Sequence, residues 1–294
     1  MMSNYNEVNR FGRKDGRRIR SLNGFWSFIP YIMPSRNDAL NFYSQSFEIS
    51  NADRWFRQQR TAGYKGMGML HLFIAAYVRA IAVLPGLNRF IAGRHVYAHN
   101  DIEIVMAVKP SLTTESEEVM IKVRFDPTDT IYDVYEKLNN AIDDVKTSVD
   151  VNDTEAFANI FAKLPRPIVR FIIWIIKVLD YFGLLPKKLL DLSPFHGTLI
   201  ISDLGSLGLS PVFHHIYNIG TLPVFMSFGA KRHCYELDRN GLPVERKYVD
   251  TRFTLDERIV DGQYYAAVFK VINSLIADPS QLEVPPETVN EDKP

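Results

Sequence analysis

Cysteine is nearly absent from this sequence: Cys234 is the one thiol in 294 residues. No disulfide can close within a single chain, and no Cys/Cys or Cys/His spacing suits a metal. A P-loop and a Gly-x-Gly-x-x-Gly fingerprint are both missing. Charge of one sign is missing too, since 34 Lys+Arg balance 34 Asp+Glu. Such a chain carries no net field for nucleic acid. The opening MMSNYNEVNRFGRKDGRRIR lacks the apolar core of a signal peptide. The expectation from these absences is a cytoplasmic protein in a reducing setting, with no metal and no nucleic-acid partner.

An uninterrupted apolar run is lacking as well. Residues 164–186, LPRPIVRFIIWIIKVLDYFGLLP, come nearest, but a spanning helix needs roughly 20 mostly apolar residues. Arg170, Lys177 and Asp180 interrupt the run at spacings that share one helical face. Ile168, Phe171, Ile172, Ile175, Leu179 and Phe182 form a wide opposite face. Burial in a core or an oligomer is the expected use of that face. Contact with a membrane surface through residues 166–185 is the alternative.

What is present is enough apolar content, 46%, for a substantial core. Residues 68–84 carry Leu70, Phe73, Ile74, Tyr77, Val78 and Ile81 at helical spacing, stopped by Pro85 and Gly86. Residues 95–98, 101–108 and 118–125 read as strands, with a turn over 110–116. Residues 126–146 form the clearest helix, capped by Thr128 or Asp129 and striped by Ile131, Val134, Leu138, Ile142 and Val145. Asn51 is placed to cap a helix over NADRWFRQQR. The run TLIIS, 198–202, suits a strand buried on both faces. Residues 223–230 and 246–255 are further strands, and 262–277 a closing helix. Strands and helices alternate with no linker and no repeat. One α/β domain over 1–284 is expected, with a helical insertion at about 148–196 and a disordered tail over 285–294.

The stretch LDERIVDG, 255–262, packs four ionisable side chains before the closing helix. On its own it reads as a solvated cap, with Asp261 at the N-cap and Gly262 turning the backbone. Its order in the chain gives it more weight. Residues 197–205 read GTLIISDLG; Phe213, Ile216 and Asn218 follow; then come DERIVDG at 256–262 and Leu275, Pro279 and Leu282. This resembles the catalytic domain of the dihydrolipoamide acyltransferases of 2-oxo acid dehydrogenase complexes, and their relative chloramphenicol acetyltransferase. That family carries GTFTISNLG, FxPIIN, DHRxxDG and a closing LxxPxxL. Upstream, HLFIAAYVRAIAVLPGLNRFI and HNDIEIVMAV resemble its helix ending in PELN and its strand with NIGIAV. The resemblance covers most of residues 15–284 and is most specific in the last third.

The resemblance implies a mixed sheet covered by helices, a homotrimer or larger assembly with active sites between two subunits, and coenzyme A or acyl-CoA as co-substrate. In such a site a histidine takes the proton from the attacking thiol or hydroxyl, and a serine hydrogen-bonds the oxyanion. Here Ser202 stands at the serine position and Glu257 at the histidine position. Asp261 and Gly262 take structural places, with Arg18, Arg17 or Arg20 as the implied partner of Asp261, and Asn218 completes the second motif. The exchange at 257 bears on activity. Proton transfer from a thiol to an ordinary carboxylate is uphill by about 4 pKa units, about 5–6 kcal/mol; to imidazole it is about 2 units, about 3 kcal/mol. Burial can raise a Glu by about 3 units, whereas contact with Arg258 would hold Glu257 charged. The sequence holds no lipoyl or subunit-binding domain, so the implied donor is a free CoA thioester.

Other candidates read as structural. Adjacent His214 and His215 point opposite ways on an extended chain and are expected at a subunit contact. His196 is expected at the surface, and His233 beside Cys234 lacks nucleophile–base geometry. Asp15-Gly16 and Asn240-Gly241 are turn signals. Three readings of function stand: a CoA-dependent acyltransferase, a catalytically inactive trimeric scaffold or ligand-binding homologue, and a membrane-surface or partner-docking module.

Overall fold

The computed structural model describes residues 13–109, 119–147 and 164–292. Its centre is a six-stranded mixed sheet. The strands are β2 (Leu40–Glu48), β5 (Ile102–Val108), β6 (Val119–Phe125), β7 (Leu199–Asp203), β8 (Val224–Leu237) and β9 (Pro243–Asp256). They lie in the order β2-β9-β8-β7-β5-β6. β7 runs parallel to both β5 and β8, and every other pair is antiparallel. A strand with parallel neighbours on both sides is buried on both faces, which is why 198–202 reads as a continuous apolar run. β1 (Gly16–Arg18), β4 (His95–His99) and β3 (Arg89–Ala92) form a small second sheet in that order.

Helices cover one face of the large sheet: α2 (Ser50–Thr61), α3 (Met69–Val83), α4 (Ile131–Thr147) and α7 (Gly262–Ala277). α3 is buried along nearly its whole length. The main core joins Phe47, Phe73, Ile104, Leu199 and Phe253 to Val134 and Ile272 of the helices. On the other face Val105, Ile200 and Phe225 pack with Ile216 and Leu222 from the loop after β7. The fold is thus a mixed sheet with a helical layer. Three further helices, α1 (Gly24–Ile32), α5 (Arg166–Tyr181) and α6 (Lys187–Leu192), lie outside that layer.

Several local expectations change. Helix α2 begins at Ser50, and Asn51 lies inside it, donating to the Ala277 carbonyl at 2.8 Å instead of capping. Helix α4 starts later than expected. Thr130 and Asp133 make a reciprocal cap, with the Thr130 amide on Asp133 at 2.8 Å and the Asp133 amide on Thr130 Oγ1 at 3.3 Å. Asp129 instead folds back onto the Asp126 amide. The turn expected over 110–116 lies outside the described residues, as does 148–163 of the expected insertion. The tail is not loose through residue 292. The Asn290 amide donates to Ala82 at 2.8 Å, and Asp292 forms a bidentate pair with Arg89 at 2.6 and 2.7 Å.

Candidate functional site

The DERIVDG segment turns from β9 into α7. Its backbone is held on three sides. The Asp256 amide donates to Pro223, the Glu257 amide to Ala39, and the Tyr265 hydroxyl to the Asp256 carbonyl, at 2.9, 3.0 and 3.0 Å. Asp256 is wholly buried and takes Arg258 in a bidentate pair at 2.8 and 2.7 Å. Arg36 lies behind, its Nε 3.7 Å from Asp256 Oδ2, and its Nη1 donates to the Tyr217 carbonyl at 2.7 Å. Burial lowers the Arg36 pKa to about 10, against the pull of Asp256. One carboxylate between two buried guanidiniums satisfies a charge that would be costly alone.

That pairing frees Glu257 from Arg258. The Glu257 side chain is half-buried, and its Oε2 accepts from Asn41 Nδ2 of β2 at 2.6 Å. Asn218 lies close by: its Oδ1 accepts the amides of Arg36 at 2.9 Å and Asn37 at 3.3 Å, holding the loop that carries Arg36. Asp261 is exposed and caps α7, its Oδ1 taking the Tyr264 amide at 2.7 Å, and Gly262 opens the helix.

The implied pair between Asp261 and an N-terminal arginine is not formed among the described residues. Arg17 and Arg18 lie in β1, paired with β4, with Gly16 opposite His99. Arg17 donates to the Asp292 carbonyl at 2.7 Å, while Arg18 and Arg20 are exposed. The buried carboxylate–arginine pair in this turn is Asp256 with Arg258, one residue before Glu257. The last four residues of β9 are all buried, so no alternation along the strand signals that Asp256 lies inside.

Ser202 lies half-buried near the end of β7, and its hydroxyl has no hydrogen-bond partner among the described residues. It stands opposite Ser227, and Ser227 opposite Arg252, five residues before Glu257. At about 3.3 Å per residue and about 4.8 Å per strand, Ser202 and Glu257 are on the order of 19 Å apart in one chain. One chain therefore does not bring the two together.

A second polar cluster escaped sequence reasoning. Arg13 forms a bidentate pair with Asp15 at 2.8 Å and reaches Asp180 of α5 at 2.7 Å. His196, expected at the surface, is 4% exposed. Its Nδ1 lies 2.8 Å from Ser193 Oγ, and its Nε2 is at 3.4 Å from Asp180 without hydrogen-bond alignment. His99 stacks on Phe90 at 4.2 Å, and burial drops its pKa to about 3 despite Asp15 nearby. Burial works against the charge of Asp180, but His196 and Arg13 outweigh it and bring that pKa to about 2. Arg13 and Asp180 are 167 residues apart in sequence, so no local pattern signals the pair.

His214 stacks on Phe225 at 4.3 Å and His215 meets Tyr217 edge-on at 5.0 Å. His233 contacts Glu245, and Cys234 accepts from Arg232. Among the described residues no group of His, Cys, Asp and Glu is arranged for a metal. A cavity of about 260 Å³ lies beside the Glu257 turn, walled by Arg36, Arg94, Lys177, Asn218 and Arg258.

No family model and no curated protein matches the sequence. Solved structures do share its fold. A dihydrolipoamide acetyltransferase of Azotobacter vinelandii is 15% identical, with 83% of each chain covered and a TM-score of 0.56. In that protein a serine, a histidine and an asparagine have been investigated for their part in catalysis. The cubic core of a pyruvate dehydrogenase multienzyme complex is 15% identical, covering 88% of each chain, with a TM-score of 0.57. A chloramphenicol acetyltransferase is 14% identical over 89% of this chain and 99% of its own, with a TM-score of 0.54. The chain has the coenzyme A-dependent acyltransferase fold.

Proposed function

We propose that this chain is an acyltransferase of the CoA-dependent type, acting in the cytoplasm as a homo-oligomer. In this reading Glu257 of one copy and Ser202 of another complete each site. The observation that carries it is the freedom of Glu257: Arg258 is taken by Asp256, and the Glu257 carboxylate stands half-exposed at the end of β9. A site shared between copies also suits the separation of Ser202 and Glu257 within one chain. β2 is an edge strand, and Phe42 on it stacks edge-on with Phe213 at 5.2 Å while both rings remain exposed. A second copy would cover them. In the Azotobacter protein the histidine and asparagine are four positions apart, the spacing of Glu257 and Asp261.

The reaction would need few groups. Glu257 takes the proton of an acceptor thiol or hydroxyl as that atom attacks the thioester carbonyl. Ser202 donates a hydrogen bond to the oxyanion so formed. Collapse breaks the carbon–sulfur bond, and the departing CoA thiolate takes the proton back from Glu257. Asp256, Arg258 and Arg36 hold the turn that presents Glu257.

The Asn41 hydrogen bond favours a second reading. It occupies one Glu257 oxygen and ties it to β2. A carboxylate used as a strap instead of a base would leave an inactive scaffold with the same fold. Calorimetry with CoA and a panel of acyl-CoAs, followed by thioester turnover, separates the two. The enzyme reading expects CoA binding, slow turnover, at least about a hundredfold loss in Glu257→Gln and Ser202→Ala, and a gain in Glu257→His. Absence of CoA binding in both wild type and Glu257→His would sink it and leave the scaffold.

A further inference from the structure

Helix α5 buries no residue, although most of its positions are apolar. Ile168, Phe171, Trp174, Tyr181 and Phe182 are 46 to 67% exposed, and Phe171 stacks on Trp174. Of the two expected uses of this face, core or oligomer burial, the core one is not formed within one chain, and the reason is Asp180. Its carboxylate is drawn inward by Arg13 and His196, so the helix is docked by its acidic corner and turns its rings outward.

The outward face has an order. At 3.6 residues per turn, Arg166, Arg170 and Lys177 fall within about 40° of one another; Tyr181 and Trp174 follow, then Phe171, Phe182 and Ile168. Cations thus line one edge, amphipathic rings come next, and aliphatic and phenyl groups fill the rest. Between residues 164 and 190 the one acidic side chain is Asp180, turned inward, whereas Arg166, Arg170, Lys177, Lys187 and Lys188 are all exposed. A second patch lies at the same end. Helix α1 has no charged residue and exposes Phe28, Tyr31 and Ile32. The turn between β3 and β4 links the two, with Arg94 over Tyr31 at 5.5 Å and Gly93 against the Tyr181 carbonyl.

We infer that α5, with the C-terminal end of α1, is a membrane-interface surface that takes anionic phospholipid. An oligomer seam loses lysine and other charge from its centre, whereas here cations run the length of the helix beside exposed rings. Their complement is a negative surface, and Trp and Tyr between cations and aliphatics suit the headgroup boundary. A helix of 16 residues is about 24 Å long, short of the roughly 30 Å hydrocarbon core. No described helix is long and apolar enough to cross a membrane. α5 would therefore lie in the plane. The proposal stands independently of acyl transfer.

The test is flotation of the full chain with phosphatidylcholine vesicles, with and without phosphatidylglycerol. The wild type should float with the mixed vesicles, weakly with phosphatidylcholine alone, and less as salt rises. Phe171→Ser with Trp174→Ser, and separately Arg166→Glu with Arg170→Glu and Lys177→Glu, should each lower partition at least about tenfold. These side chains are exposed, so unchanged thermal melts should accompany the loss. Trp174→Phe should still float but lose the blue shift of tryptophan emission. A wild type that fails to float with mixed vesicles overturns the proposal, and so do variants that float as well as the wild type. If flotation fails and Phe171→Ser with Trp174→Ser lowers the assembly mass by light scattering, the face belongs to a second copy.

Discussion

Asp256 sits wholly buried between Arg258 and Arg36, and its neighbour Glu257 faces out. Removing the inner charge leaves two buried guanidiniums with no counter-charge, which costs about 3–5 kcal/mol. Asp256→Asn should therefore lower unfolding free energy in urea by about that amount, while Glu257→Gln, at a half-exposed site, should leave it within about 0.5 kcal/mol. His99 makes a second prediction at this scale. Its folded pKa is about 3, and burial is the cause; the unfolded value is about 6.5. As pH falls below about 6.5 the unfolded chain gains a proton that the folded chain refuses, so stability is lost from there towards pH 3, by up to about 1.4 kcal/mol per unit. Asp180 and Asp15 are depressed in the folded state, so their contribution is lost in a later window, below about 3.8. Urea titrations of His99→Gln should show a shallower fall between pH 6.5 and 4 than the wild type. His71, His95 and His214 are also lowered by burial, so some slope should remain.

At the scale of elements, the closing helix shows how a motif residue acts without touching chemistry. Asp261 is exposed and satisfies the Tyr264 amide at the start of α7. Asp261→Ala should cost about 1 kcal/mol and lower Tm by about 2–4 °C, with no collapse of the turn. A loss near 4 kcal/mol would mean that Asp261 carries a buried ion pair instead. Helix α5 shows the reverse case. Its face of Arg170, Lys177 and Asp180 reads as polar, yet one member, Asp180, points inward to Arg13. The pattern located the helix and its two faces. It did not show how the helix would be docked, because Asp180 pairs with Arg13, 167 residues away in sequence.

For the whole molecule, the separation of Ser202 and Glu257 makes assembly part of the proposed chemistry. Co-refolding Ser202→Ala chains with Glu257→Gln chains places an intact Glu257 beside an intact Ser202 at some seams. Thioester turnover should return to about a quarter of wild type if copies mix at random, although each variant alone is inactive. Recovery that never rises above the separate variants would refute a shared site. Gel filtration with light scattering on the same samples should report a homo-oligomer.

The sequence by itself determined the elements whose periodicity is strong: the buried helix α3, the β5–β6 pair, the run into β7, and α7 from Gly262 to Ala277. It also carried the ordered motifs from Gly197 to Leu282, and with them the fold, because local preference and chain order agree along that stretch. It missed most of β2. That strand lies on a sheet edge, and Asn41, Phe42, Tyr43 and Ser44 are all exposed on it, so the apolar signal is weak. It missed α1, whose short run of mostly apolar residues is broken by Pro30. Tertiary structure alone decided the charge pairs: Asp256 with Arg258 and Arg36, and Arg13 with Asp180. Such pairs depend on which carboxylates lose water on folding, and burial is a property of the packed chain, not of neighbours in sequence. The same is true of the distance between Ser202 and Glu257, which two intervening strand pairings fix.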